Sequence, residues 1–222
     1  MEEKGQAKAN NQVSVVGKID KEFHFSHEYY GEGFYKTNVL VDRLNETIDS
    51  IPVLVSDRLL DMDSCYAGKY IALEGEFRSY NSREIDEDSP KKRQLTVFAR
   101  EIHLLGGREN GERVKKKEMN EDSIFIDGYL CKPPVYRITP LGREITELTI
   151  AVSRFYGKCD YIPCICWGRN ARFAAGFATG DKICIHGRIQ SRDYTRRSGP
   201  ETSRKLTTYE VSVQRIYRES EE

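Results

Sequence analysis

The sequence contains no uninterrupted apolar segment of the roughly 20 residues that a membrane-spanning helix requires. The N-terminal stretch MEEKGQAKANN has no apolar run either, so a secretory signal peptide is not expected. Without a secretory signal a disulfide framework is not expected for the six cysteines, and none of them forms the CxxC pair typical of a zinc knuckle. We therefore expect a reduced, cytoplasmic protein with no contact to a membrane.

Arrangements typical of catalytic or metal sites are also missing. The four histidines form no constellation with a nucleophile or with metal ligands, and there is no Walker-type loop or pair of catalytic carboxylates. Cys164 and Cys166 share one predicted strand and lack the second knuckle that a structural zinc site needs. The sequence predicts that the protein is not an enzyme and binds no cofactor.

A net charge of zero conceals two segments of opposite sign. Residues 11–105 contain 12 Lys and Arg against 17 Asp and Glu, a net charge of −5. Residues 122–218 contain 16 Lys and Arg against 9 Asp and Glu, a net charge of +7. The basic segment is the better candidate for a polyanionic partner, although each arginine singly is also compatible with an ordinary solvated surface.

An internal repeat at an offset of 111 residues relates these two segments. IPVLVSDR, which begins at Ile51, recurs as IPCICWGR, which begins at Ile162. The offset grows only in polar loops and the order of matches is kept, as expected of a duplication. We call residues 11–105 the first copy and residues 122–218 the second copy. Residues 106–121 between them are almost devoid of apolar side chains and are predicted to be a flexible linker.

Each copy has the pattern of five short strands with alternating apolar positions. After the third strand the second copy carries the Ala-rich segment NARFAAGFATG, which fits a short helix, and the first copy has DRLLDMDSCYAG there. Five strands with a helix between the third and fourth is the order of an OB-fold, a partly open barrel. The predicted fold class is all-β, with two tandem OB-folds, and the tyrosine-rich HFSHEYYGEGFY is interpreted as a loop. In the second copy the strands are predicted near 123–131, 145–154, 160–168, 182–192 and 206–217.

The second copy resembles the bacterial single-stranded DNA-binding protein family. DGYLCKPPVYRITPLGREITELTIAVSR is similar to that family's first two strands, and DYIPCICWGRNA to its third strand and helix start. GDKICIHGRIQSRDYT is similar to its fourth strand and TTYEVSVQRI to its fifth. The first copy is similar but diverged, since it keeps Gly17, Arg43 and Gly75 and has Ser56 where the second copy has Trp167.

This resemblance implies sequence-nonspecific binding of single-stranded DNA in replication, recombination or repair. It also implies assemblies of four OB-folds, so a chain with two is expected to form a homodimer. Family members often end in an acidic tail with an apolar tip that recruits replication or repair proteins, whereas this sequence closes with YRESEE. Aromatic residues of the family that stack on DNA match Trp167, Tyr161, Tyr194 and either Phe155 or Tyr156.

Strand alternation in the second copy supports part of this assignment. It places Tyr161 and Trp167 on one face and Cys164 and Cys166 on the other, and the small apolar set suits the barrel interior. Basic residues around the aromatic ones are predicted to contact phosphates, and SRDYTRRSG is predicted to be a mobile loop that folds over the strand. In the second copy these residues are Arg137, Arg154, Arg169, Arg172, Arg188, Arg192, Arg196 and Arg197. In the first copy the candidates are Arg43, Arg58, Lys69, Arg78 and Tyr80.

The two copies are thus interpreted as dividing the work. The second binds DNA, and the first contributes dimer contacts, a weaker extension of the DNA path, or both. Two alternatives stay open: an OB-fold scaffold for protein interactions, which the acidic first copy would suit, and a binder of single-stranded RNA, which uses the same stacking chemistry. At the residue level, Trp167 as an ordinary core side chain is the competing interpretation.

Overall fold

Twelve strands, six from each copy, make up most of the chain that the computed structural model describes, namely residues 9–43, 46–81, 93–105, 121–154, 157–197 and 203–219. The first copy supplies β1 (Asn11–Ile19), β2 (His24–Tyr29), β3 (Glu32–Asp42), β4 (Ile48–Ser56), β5 (Tyr70–Asn81) and β6 (Arg93–Leu105). The second copy supplies β7 (Glu121–Leu130), β8 (Val135–Ile138), β9 (Glu144–Ser153), β10 (Cys159–Trp167), β11 (Lys182–Arg197) and β12 (Ser203–Arg218). Helix α1 (Arg169–Ala174) follows β10.

The fold class predicted from the sequence is confirmed, with four differences in detail, the first being the additional strand β8 in the second copy. The first copy has only a single 3-10 turn, Asp57–Leu59, where a helix was predicted. The segment HFSHEYYGEGFY is a hairpin of β2 and β3, not a loop, and its turn residues Tyr30 and Gly31 both have positive φ, 49° and 73°. Strand β11 continues to Arg197, so most of the predicted mobile loop is strand. The predicted linker lies outside the described residues, apart from Glu121 at the start of β7.

Each copy closes into a barrel in the same way. In the first copy β1 pairs with both β3 and β5, and a short parallel contact between β4 and β6 completes the ring. In the second copy β7 pairs with β9 and β11, and β10 pairs in parallel with β12. A Cβ at Gly17 would come within 2.5 Å of the Leu40 carbonyl oxygen, and one at Gly128 within 2.5 Å of that of Ala151. Glycine is therefore required where the first strand of each barrel crosses the others.

The two barrels are joined edge to edge by an antiparallel pairing of β1 with β7, which makes one twelve-stranded sheet. In this pairing Val13 lies opposite Ile124, which is its own counterpart at the 111-residue offset. A pseudo-two-fold axis therefore passes between these two residues. Contacts made by one copy on the other are consequently expected to occur twice.

Two equivalent ion-pair clusters confirm that expectation. Arg43 binds the buried Asp49 of its own copy, and Asp49 in turn accepts the backbone N–H of Ser191 from the second copy at 2.7 Å. At the symmetric position Arg154 binds the buried Asp160, which accepts the backbone N–H of Ser79 from the first copy. We call these clusters the two clasps. Each ties a strand of one copy to a carboxylate of the other.

Candidate nucleic-acid interface

Strand β10 presents its aromatic side chains outward and its cysteines inward. Tyr161 and Trp167 are 37% and 38% exposed, whereas Cys164 and Cys166 are 2% and 0% exposed. The alternation predicted from the sequence therefore holds, and Trp167 is not a core side chain. Ile165 departs from this alternation: its position in β10 puts it on the face of Tyr161 and Trp167, but it is buried. Ile165 lies opposite Glu147 of β9, and Glu147 lies opposite Val135 of β8. Side chains paired across strands share a face, so these neighbours cover Ile165.

Two further exposed rings of the second copy, both near α1, were missed by the sequence reasoning. Tyr136 on β8 is 41% exposed and its hydroxyl donates to Glu144 at 2.7 Å, an interaction that raises the pKa of the phenol. Phe173 on α1 is 51% exposed. Tyr136 was overlooked because β8 has four exposed residues and therefore no alternating apolar pattern. Tyr136 lies in register with Thr146 and Cys166, and Phe173 packs edge-on against Phe177, so these contacts place both rings toward α1 and not against Trp167.

The predicted basic residues fall into distinct environments, of which the clasps are the first. Arg43 and Arg154 each hold a buried aspartate, and this hydrogen bonding raises the pKa of both guanidinium groups. Arg188 also belongs here, since its Nη1 donates to Asp49 at 2.9 Å. These three arginines already pair with buried carboxylates, Arg43 and Arg188 sharing Asp49, so their geometry fits them to hold the copies together.

A second group of arginines is exposed or half-buried and pairs with half-buried carboxylates or, for Arg192, with the buried Glu210. Arg172 binds Glu144 at 2.8 Å, and the guanidinium of Arg192 lies 3.9 Å from Glu210. Ion pairs of this exposed kind are weak and exchange readily with solvent or with a phosphate. Arg169 is exposed at the first position of α1, two residues after Trp167. The remaining members are Arg137 with Glu147, Arg58 with Glu32 at 3.7 Å, and Arg78 with Glu76 at 2.8 Å.

Some of the predicted binding residues lie away from this interface, and others lie outside the residues that the structure describes. Lys69 is exposed at the start of β5, at the end opposite Tyr80. The backbone of Tyr194 pairs with Leu206 in the β11–β12 hairpin. Residues outside the described part of the chain, or with side chains outside it, are Phe155, Tyr156, Tyr194, Arg196 and Arg197.

In the first copy, the position equivalent to Trp167 is closed by a carboxylate network. Ser56 is 6% exposed and its hydroxyl donates to Glu32. The carboxylate of Asp57 accepts the backbone N–H of Gly33 at 2.9 Å. Two carboxylates, of which Glu32 also pairs with Arg58, thus stand where the second copy has an exposed ring, and the nearby Phe34 is buried, which disfavours stacking of a base there.

Other classes of site find no support in the described ranges. No group of three or more His, Cys, Asp or Glu side chains is arranged to hold a metal ion within them. Nor does that part of the chain include a helix long and apolar enough to cross a membrane.

Comparison with known proteins relates the second copy to proteins that are named for binding single-stranded DNA. Residues 121–218 match the model of the Single-strand binding protein family. The Single-stranded DNA-binding protein of Clostridium tetani is 35% identical over 83 residues, which cover 34% of this chain and 57% of that protein. Single-stranded DNA-binding protein A of Bacillus subtilis is 32% identical over 83 residues, which cover 34% of this chain and 48% of that protein. The chain thus spans about half the length of these curated relatives.

The solved structures extend the likeness to both copies, at the level of the fold alone. The wild-type single-stranded DNA binding protein from Thermus aquaticus superposes with a TM-score of 0.72 over 96% of this chain and 94% of that chain, at 21% identity. Its extent agrees with the arrangement of two joined barrels described above. Residues 121–218 are therefore similar to the single-strand binding protein family, and the two copies together share the fold of the Thermus aquaticus protein.

Proposed function

We propose that this protein binds single-stranded DNA without sequence preference and protects it during replication, recombination or repair in the bacterial cytoplasm. The observation that carries the proposal is the exposed aromatic pair of Tyr161 and Trp167 on β10, within the family-matching segment. Every base has a π-face, so stacking on such rings tolerates any sequence and contributes about 1–3 kcal/mol per base. The net charge of +7 on the second copy supplies the attraction for phosphates.

The basic residues have different roles in this proposal. Arg137, Arg169, Arg172 and Arg192 contact phosphates, since all four side chains are exposed. Arg43, Arg154 and Arg188 instead position the two copies through the clasps. The chemistry is binding without turnover, because neither stacking nor phosphate pairing breaks a covalent bond.

The chain organisation follows from the same reasoning. We propose two domains, residues 11–105 and 122–218, connected by residues 106–121. Since β1 and β7 already join two barrels within one chain, a homodimer presents four OB-folds to the DNA. Replication or repair proteins are the further partners we propose.

A second candidate function for the first copy is docking of another protein. It rests on Phe25, Tyr29 and Tyr30, which are 58%, 64% and 90% exposed at the edge strand β2 and its turn. The test is a double variant, Phe25→Ser with Tyr29→Ser. If it still binds a protein partner as well as the unmodified chain does, this candidate function is wrong.

Fluorescence anisotropy with labelled oligomers tests the main proposal. We expect tight binding of oligo-dT, weaker binding of oligo-rU of equal length, and little binding of a duplex. Preference for oligo-rU would make RNA the ligand, and no binding of either single strand would overturn the proposal. A duplex bound as well as oligo-dT would also contradict it, because paired bases cannot stack on the protein.

A further inference from the structure

A cavity of about 320 Å³ lies between the two copies, on the first copy's side of the molecule. Strands β3, β4, β5 and β6 of the first copy form most of its wall, and residues 207–209 of β12 in the second copy complete it. The cavity therefore exists only because the clasps and the β1–β7 pairing hold the copies together. Its volume is at the lower end of the range for ligand pockets, which suits a group about the size of one nucleoside.

The lining combines an aromatic face with a positive charge. Tyr80 on β5 is half-buried, and its hydroxyl donates to the side-chain oxygen of Gln94 at 2.8 Å, which fixes the ring. The ammonium of Lys36 lies 5.4 Å from the centroid of that ring. Tyr209 contributes a second ring from the other copy, and burial, followed by the nearby Asp193 and Tyr80, raises the pKa of its hydroxyl.

The charges around the cavity also favour an anionic strand. None of the described residues that line it is acidic, although the first copy as a whole has a net charge of −5. Besides His24 and Lys36, the polar members are amides and hydroxyls such as those of Asn38 and Thr208, the groups that pair with base edges. One exposed carboxylate, Asp193, accepts a hydrogen bond from Thr207 at 2.8 Å at the rim. A larger cavity near the β1–β7 junction contains Glu74, Glu76 and Glu101 and lacks this character.

The cavity also adjoins the proposed interface on the second copy. The backbone N–H of Tyr161 donates to the hydroxyl of Ser79 at 3.0 Å, and Ser79 immediately precedes Tyr80 in β5. A strand stacked on Tyr161 therefore lies beside β5 and has a short path to Tyr80. No aromatic residue of the second copy stands at the position equivalent to Tyr80, where the repeat places Arg192.

We propose that this cavity is a nucleobase-binding subsite in which one base of the bound strand stacks on Tyr80 and its phosphate pairs with Lys36. The subsite rests on the proposed function and specifies how the first copy takes part in it. It makes the first copy a weaker extension of the DNA path.

The test compares substitutions on β5 in the full chain, with oligo-dT as the ligand. Tyr80→Leu is expected to weaken binding about 5- to 10-fold, since one stacking contact is lost. Tyr80→Phe keeps the ring and is expected to bind as the unmodified chain does. Tyr70→Leu is the matched control, because Tyr70 is also half-buried on β5 but about 33 Å away along the strand. Unchanged affinity for Tyr80→Leu, or equal losses for all three variants, would overturn the subsite.

Two further measurements distinguish DNA binding in the subsite from a purely structural role of its residues. Lys36→Gln is expected to reduce the slope of log affinity against log salt by about 0.7, the value of one phosphate contact to a single strand. Photo-crosslinking of the unmodified chain to a dT oligomer that carries 5-iodo-deoxyuridine is expected to modify peptides containing Tyr80 or Tyr209. Crosslinks confined to β10 would reject the subsite and retain the proposed function, whereas no binding of oligo-dT at all would reject both.

Discussion

At the scale of single residues, the two copies differ most at one repeat position. The second copy has the exposed Trp167 there, on which a base can stack, whereas the first copy has the buried Ser56. We expect Trp167→Ala to weaken oligo-dT binding about 30- to 100-fold, because the indole is the largest exposed ring of β10. The loss exceeds that expected for Tyr80→Leu. Anisotropy titrations measure both, with Tyr217→Ala as a control, since Tyr217 is 51% exposed elsewhere on the second copy. Equal losses for Trp167→Ala and Tyr217→Ala would contradict the assignment.

A second residue-scale contrast concerns Asn11 and Asp122, which the repeat makes equivalent. The amide of Asn11 accepts the N–H of Phe77 at 2.9 Å and donates to its carbonyl at 2.8 Å. Asp122 accepts the equivalent N–H, from Ile189, at 2.9 Å, but its other oxygen is buried with no hydrogen-bond partner among the described residues. Burial, together with the charge of Asp49, raises the pKa of Asp122 to about 7, against the N–H bond and the charges of Arg188 and Arg43.

This raised pKa makes stability depend on pH with a definite sign. The folded state keeps a proton on Asp122 that the unfolded chain releases above pH 4, so this contribution is full below about pH 4 and is lost as the pH rises to about 7. We expect Asp122→Asn to increase the free energy of unfolding at pH 8 by about 1–3 kcal/mol, because the amide restores the bonding of Asn11.

Urea denaturation at pH 5 and pH 8 measures this effect. The advantage of the variant is expected to shrink at pH 5, where Asp122 itself is protonated. Asp20→Asn is the control, since Asp20 is exposed, and it is expected to change stability equally at both pH values. An Asp122→Asn effect that is the same at both pH values would reject the protonated carboxyl.

At the scale of structural elements, the clasps couple the stability of the two copies. Asp160→Ala leaves Arg154 half-buried without its partner and removes the acceptor for Ser79. We expect this to cost about 3–5 kcal/mol of unfolding free energy, the usual result of breaking a buried ion pair from one side. Asp49→Ala is expected to behave alike, because the pseudo-two-fold axis makes the clasps equivalent. In urea denaturation, the exposed Asp193→Ala is expected to have little effect, and a similarly small loss for Asp160→Ala would refute the coupling.

The elements also show what the sequence alone can predict. Strands such as β10 were predictable because one face of the strand is buried, so that apolar and polar residues alternate. Strands β2 and β8 were not, because both faces of these edge strands are exposed and their side chains follow no period. The role of Arg154 in a clasp was hidden for a different reason, since Ser79 is 75 residues away in the chain. Only the fold brings these residues together.

At the scale of the whole molecule, we expect two chains to associate as a homodimer. One chain presents two barrels in a single twelve-stranded sheet, and four barrels require a second chain. Light scattering at micromolar concentration is expected to give a mass near twice the 25.6 kDa of one chain. A mass near that of one chain would contradict the homodimer and leave the base-stacking interface unaffected.

The most direct test of the central claim uses the single tryptophan as a reporter of base stacking. Titration with oligo-dT at several salt concentrations is expected to quench Trp167 fluorescence strongly, with log affinity falling linearly in log salt by about 0.7 per phosphate contact. Clear binding with unchanged fluorescence would remove Trp167 from the interface. Unchanged fluorescence together with no binding by anisotropy would contradict the proposal that this protein binds single-stranded DNA.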